Sequence, residues 1–448
     1  MNQRELRDIW YKALAENRDE DKINSNIEKN RKGYCKLRFV DGNGKPLAGK
    51  KVKINQRTHD FKYGANIFML DEFKDDTDNK KYREMFKNYF NLATIPFYWD
   101  GLEPQKGKPR FEKNSEKIYR RPAPELCVEY CEENGIAAKL HCLVYDKFTP
   151  DWLPKKDMAA MENLYEERIR QIAERYSGRL MEFEVINETL QEHYWTTQSV
   201  ISQKRDVIEW AFAIARKCLP HETLVINEGN PHGWVKHGYR NPYFMQIEKC
   251  LLNGAEIDKV GMQYHIFTGA TAKNPEEYNR QAAGDAWQVK PNIASKTLDI
   301  FAGLGLPLEL TEVTFPTIGE SAEDEELQAQ VLKGMYSVWF SHEAVDTIVY
   351  WNTIDGYAYT APESENRIWN ENACRGGLFH HDLTPKKSAL MLKKLFGEIW
   401  HTDLELTTDK DGYVEFRGFY GDYSVSADDS RKEFGLHKNQ NNYSVIEL

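Results

Sequence analysis

No stretch of the 448 residues reaches the ~18 uncharged apolar positions that a helix needs to cross a bilayer, so no membrane partner is expected. A basic stripe with interleaved aromatics is missing too. Lys and Arg number 60 against 70 Asp and Glu, a net charge of −10, which argues against nucleic acid as a partner. Cysteine is sparse: seven scattered residues, an odd number, do not make a disulfide framework. The fingerprints GxGxxG and GxxxxGK[ST] are absent, which removes the usual sequence evidence for a dinucleotide or nucleoside triphosphate. HExxH and HxxxH are absent as well, and the His-His-Asp run at 380–382 falls in a loop, so neither metal nor cofactor is expected. The opening residues, MNQRELRDIWYKALAENRDE, lack the apolar core of a signal peptide. The expected compartment is the cytoplasm, or outside the cell if a leader precedes these residues.

Aromatic residues are plentiful, with 24 Tyr, 21 Phe and 11 Trp. Most belong in a core, and a surplus suits a cleft whose flat faces stack on sugar rings. Through the middle of the chain, short apolar runs recur at 61–68, 90–99, 137–145, 183–188, 223–228, 259–266, 306–313 and 346–353. Between them the spacing turns helical, as in 157–178 and 323–343. Eight near-continuous apolar strands alternating with helices call for parallel strands buried on both faces. Right-handed crossovers close eight such units into a (β/α)8 TIM barrel, an α/β fold assigned to residues 57–397. An open doubly wound sheet would need the glycine-rich turn that is missing.

The two ends read differently. Residues 33–56 alternate apolar and polar around a Gly-Asn-Gly turn and predict a β-hairpin. Residues 398–448 alternate likewise around Asp-Gly and Gly-Asp turns and predict three or four strands. Together they form a small β-sandwich-like accessory region, with residues 1–32 a helical or loose leader.

In such a barrel the site lies at the C-terminal strand ends. Those ends carry Trp99, then His141 with Tyr145, then Asn187 with Glu188, then Asn227 with Glu228. Gln263, Tyr264 and His265 follow, then Glu312, and last Trp351. Two carboxylates facing each other across one mouth are what glycoside hydrolysis requires. One donates a proton to the leaving oxygen; the other attacks the anomeric carbon or activates water. Glu188 and Glu312, ending the fourth and seventh strands, fill those positions. A Glu that only caps the next helix is the bland alternative, and two of them among amides, imidazoles and aromatics make it the weaker one.

These residues carry a resemblance. "FEVINETL" (183–190) resembles the acid/base motif of glycoside hydrolase family 10, the xylanase family, and "LELTEV" (308–313) is similar to its nucleophile motif. "HCLVYDKFTPDWL" (141–153), "GMQYHI" (261–266), "WNTIDGYAY" (351–359) and "GGLFHHDLTPKKSAL" (376–390) resemble four further family segments, in chain order. The resemblance implies a retaining mechanism with Glu188 as acid/base and Glu312 as nucleophile. It implies that Asn187 bonds the sugar 2-hydroxyl and that His265 orients Glu312. Gln263 and His141 would line the same subsite over a floor made by Trp351. Trp99, Tyr145, Tyr264, Tyr359 and Asn227 are the remaining expected substrate contacts.

The chain also departs from the family. Where the family's second strand ends in a Glu-Asn-x-Met-Lys-Trp grip on the sugar, this chain has "ATIPFYWDGLEPQKG" (93–107). It keeps Trp99, but Pro96, Phe97 and Tyr98 replace the polar grip. Glu228 stands where the family has Asp, a third acid near the site in a supporting role. The expected substrate is β-1,4-linked xylan or its oligosaccharides. The alternatives are the same chemistry on another β-glycan or β-glycoside, and an inactive carbohydrate-binding barrel.

Overall fold

The computed structural model describes residues 1–191, 198–363, 367–428 and 430–448. Eight parallel strands form a closed barrel: β3 (Lys62–Asn66), β4 (Leu92–Pro96), β5 (Ala137–His141), β6 (Glu182–Asn187), β7 (Thr223–Glu228), β8 (Lys259–His265), β9 (Leu308–Thr314) and β10 (Val345–Tyr350). Each pairs with the next in sequence, and β10 closes on β3. Strands β4, β6, β8 and β9 are buried at every residue, because helices cover the outside and side chains fill the inside. All eight predicted strands are present. The predicted helices span Met158–Tyr176 and Ala322–Ser341.

The two ends combine as seven strands in two sheets. In one, β1 (Lys32–Val40) lies between β12 (Tyr413–Phe419) and β15 (Tyr443–Glu447). In the other, β2 (Lys51–Gln56) lies between β11 (Asp403–Thr407) and β13 (Gly421–Ala427), with β14 (Ser430–Leu436) outermost. The hairpin expected over 33–56 is therefore not formed. Strands β1 and β2 belong to opposite sheets, and the C-terminal segment supplies five strands rather than three or four. The reason is burial: each strand alternates buried and exposed residues, and a lone hairpin leaves its apolar face in water. Placed in facing sheets, Leu37 and Phe39 meet Val52, Ile54, Tyr423 and Val425 in a shared core.

Residues 1–31 form two helices, α1 (Gln3–Ala15) and α2 (Glu20–Arg31), both held against the barrel. Buried Trp10 donates to Ala282 O at 2.8 Å, and Asn30 Nδ2 donates to Ser341 O at 2.9 Å. The sandwich docks through Trp400, whose ring stacks on Phe340 at 4.1 Å, and through Phe419 beside it. Arg31 donates to the carbonyls of Phe340, His342 and Val345, just before and at the start of β10. The contacts of Asn30, Arg31 and the sandwich lie at the N-terminal pole of the barrel, opposite the strand ends that carry the site, whereas α1 runs along the side, with Gln3 donating to Ile318 O at 2.7 Å beyond β9. No helix among the described residues is long and apolar enough to cross a membrane, and none of the seven cysteines is in a disulfide.

Candidate active site

The strand ends and the loops that follow them enclose a cavity of about 270 Å³. Glu188 and Glu312 both line it, with Asn187, Gln263, His265 and Trp351. Local backbone explains how Glu188 gets there. Strand β6 stops at Asn187, and Glu188 takes φ +55, a left-handed conformation that side-chain-bearing residues rarely adopt. Its N–H donates to Asn227 O at 3.1 Å. Two residues on, Leu190 N–H donates to the buried Glu228 carboxyl at 2.8 Å, and Gly229 N–H donates to its other oxygen at 2.7 Å. Glu228 thus lies outside the cavity and pins the turn that aims Glu188 inward. Burial pushes its carboxyl up to about 8.

Gln263 spans the two acids. Its Nε2 donates to Glu188 Oε1 at 2.9 Å and to Glu312 Oε1 at 3.0 Å. One nitrogen bonded to both limits the distance between those oxygens to about 6 Å, below the ~6.5–9.5 Å that seats a water for inversion and compatible with the ~5–5.5 Å of double displacement. Glu312 also accepts from Asn227 Nδ2 at 3.0 Å, and its Oε2 lies 3.1 Å from His265 Nε2. Burial draws His265 down to about 4, so the ring is neutral near pH 7. Its Nδ1 lies 3.1 Å from Thr314 Oγ1; with that hydroxyl as donor, Nε2–H faces Glu312.

Burial weighs against the Glu312 anion. Burial pushes the Glu312 carboxyl up to about 8; the nearby His141 opposes that shift, while Glu184 and Glu188 add to it. His141 itself is pulled down by burial, but Glu184 beside it prevails and the imidazole is raised. Glu184 is pushed up by burial and held down at about 2 by Lys139 and His141. His141 Nδ1 bonds Glu184, and its Nε2 lies 2.9 Å from Tyr98 Oη. The donors that converge on Glu312 offset part of that cost.

Residues 58–389 match the model of the family described as "Glycosyl hydrolase family 10". The chain belongs to this family. It is 22% identical to endo-1,4-beta-xylanase 2 of Arabidopsis thaliana over 90% of its own length and 33% of that protein. It is 25% identical to endo-1,4-beta-xylanase B of Thermotoga neapolitana, over 67% of this chain and 78% of that one. A third relative, the anti-sigma-I factor RsgI6 of Acetivibrio thermocellus, is 23% identical over 91% of this chain and 46% of the relative. The chain thus spans a third to about half of the Arabidopsis and Acetivibrio proteins. Among solved structures, native xylanase 10B from Thermotoga maritima shares the fold, with a TM-score of 0.56 and 22% identity. That similarity covers 76% of this chain and 96% of the other.

Within the family 10 barrel, the other expected contacts divide into two groups. His141, Tyr145 and Tyr359 line the cavity, and Tyr145 Oη donates to Glu188 Oε2 at 2.5 Å. Trp99, Tyr264 and Asn227 do not line it. Trp99 is buried against Tyr165 at 4.6 Å, because the chain turns after Pro96 into a short helix, Trp99–Leu102, that swings the indole toward the Met158–Tyr176 helix. Tyr98 takes its place in the cavity. Tyr264 points outward, stacked on His232 at 3.8 Å and donating to Gln288 O. Asn227 stands behind the site, donating to both Asn187 and Glu312. That bond, with one from Gln263 Nε2 at 3.3 Å, occupies Asn187 Oδ1.

A buried charge column beneath the acids went unread in the sequence. Lys139 Nζ lies 2.8 Å from Glu184 and 2.5 Å from Glu309, and Lys259 pairs with Glu182. The signal was there: single charged residues embedded in otherwise apolar strands, as in AAKLH and EFEVIN. Charges so placed persist only when paired.

Proposed function

We propose that the chain is a retaining glycoside hydrolase that cleaves β-1,4-linked xylan or xylo-oligosaccharides by double displacement. The observation that carries the mechanism is the Gln263 amide bonded to both carboxyls, which holds an oxygen of each within about 6 Å of the other, as double displacement requires. Glu312 attacks the anomeric carbon while Glu188 protonates the leaving oxygen. In the second step Glu188 takes a proton from water, which displaces the sugar from Glu312. Asn187 Nδ2 donates to the hydroxyl beside the reacting carbon, and His265 and Asn227 hold Glu312 on line. Trp351, edge-on to Phe68 and His141, forms the floor. The xylan assignment is supported by the family and by the names of the Arabidopsis and Thermotoga relatives.

A second reading keeps the mechanism and changes the sugar. It is favoured by Tyr98, an aromatic phenol where the family presents charged and amide groups. Product analysis on a panel of linear and branched oligosaccharides separates the two. Turnover of xylose-based substrates far above all others supports xylan and rejects the second reading. Sugar binding without hydrolysis of any substrate overturns both.

A further inference from the structure

Beside the catalytic cavity lies a second hollow of about 450 Å³, and Arg120, Arg121 and Tyr359 line both. Cleavage of a neutral sugar leaves the two adjacent guanidinium groups without a use. Their placement is deliberate in backbone terms. Arg120 takes φ +60, a left-handed conformation that costs a long side chain, and the turn brings consecutive residues to one wall. Buried Arg110 fixes the loop by donating to Glu116 O at 2.7 Å, Gly101 O at 2.6 Å and Arg121 O at 3.1 Å.

Both arginines rest on aromatic faces. Arg121 lies 4.2 Å from the Tyr98 ring centre and 5.2 Å from that of Phe148; Arg120 lies 5.7 Å from Phe68. Their hydrogen bonds go to backbone carbonyls, Arg121 to Arg120 O at 3.0 Å and Arg120 to Tyr357 O. Neither forms an ion pair with a carboxylate among the described residues. The nearby acids bond to neutral donors. Glu188 and Glu312 share Gln263, Asp100 accepts from Gly101 N–H at 2.6 Å, and Glu371 accepts from Trp369 Nε1 at 3.3 Å. Burial pulls the Arg120 guanidinium down and Arg121 pulls it further, against an opposing pull from Glu371. A bound anion would relieve both penalties.

We propose that this wall binds a carboxylate-bearing branch sugar, a uronic acid carried on the glycan in the catalytic cavity. A guanidinium fork matches a carboxylate bidentately, which a neutral sugar cannot exploit. The inference rests on the glycosidase reading: the backbone lies against Glu188 and Glu312 while the acidic branch passes Arg121 into the neighbouring hollow.

The test uses the full chain and xylo-oligosaccharides of one backbone, either unbranched, branched with glucuronic acid, or branched with the carboxyl-reduced sugar. The readout is the kcat/KM ratio of acidic to reduced branch, so a general loss of activity in a variant cancels. The expected ratio is about tenfold or more for the unmodified protein, falling to within about twofold in Arg121→Gln and shrinking at high salt. Arg121→Lys, which keeps the charge but not the fork, falls between. Equal rates on the two branched substrates, or a ratio unchanged in both Arg121→Gln and Arg120→Gln, overturn the proposal. If no substrate is cleaved, the glycosidase reading falls instead. Calorimetric binding of the same compounds then decides this proposal by the same ratio.

Discussion

Glu188 owes its position to neighbours that never touch substrate, and several single substitutions separate those roles. Glu188→Ala and Glu312→Ala should each lower kcat by ~10²–10⁴ or more. Azide should restore turnover of an activated aryl glycoside to Glu188→Ala, while full activity in either variant contradicts the assignment. Tyr98→Phe removes the hydroxyl bonded to His141 and should lower kcat/KM, with no change in melting temperature beyond about 2 °C. Trp99→Phe should do the reverse, because its indole is core. The pH profile follows from Glu312, held up at about 8: the nucleophile acts as its anion, so kcat/KM should rise as pH rises toward about 8. With a leaving group that needs no protonation, that acidic limb should persist, because it reports the nucleophile and not the proton donor. The carboxylate pair was legible in the sequence because strand ends of a parallel barrel share one face. The exchange of Tyr98 for Trp99 was not, since one turn of helix after Pro96 decides which ring faces inward, and a linear reading carries no such rotation.

At the scale of elements, the barrel strands were legible because burial on both faces leaves uninterrupted apolar runs. The terminal strands were legible as strands but not as partners. Period-two alternation reveals which face is buried, yet the choice of neighbour is made by strands that lie hundreds of residues away, such as β12 beside β1. Helices α1 and α2 take part in the fold. Trp10→Ala removes a fully buried indole and its bond to Ala282, and should cost ~3–5 kcal/mol, read as a shifted urea midpoint. An unchanged midpoint would mean that α1 is not docked in solution.

For the molecule as a whole, buried titratable groups set the range of stability. His59, His232 and His265 are drawn down to about 4 by burial, from the usual 6.5, so their contribution is complete above 6.5 and is lost as pH falls toward 4. Glu228 and Glu312 are raised from 4.5 to about 8, so theirs is complete below 4.5 and is lost as pH rises toward 8. The two trends oppose each other between 4.5 and 6.5, and above 6.5 only the loss remains. Melting temperature should therefore decline between pH 6.5 and 8. The sandwich lies at the pole away from the cavity, a position that predicts a bracing role. Tyr423→Ala, in its core, should lower the melting temperature while leaving KM for xylo-oligosaccharides unchanged below that transition. The central claim is the covalent step on Glu312. It is tested most directly by treating the protein with a 2-deoxy-2-fluoro aryl xylobioside and mapping the trapped sugar by peptide mass spectrometry. The account predicts one sugar on the peptide containing Glu312; a label on Glu188, or release of an inverted product with no label, would contradict it.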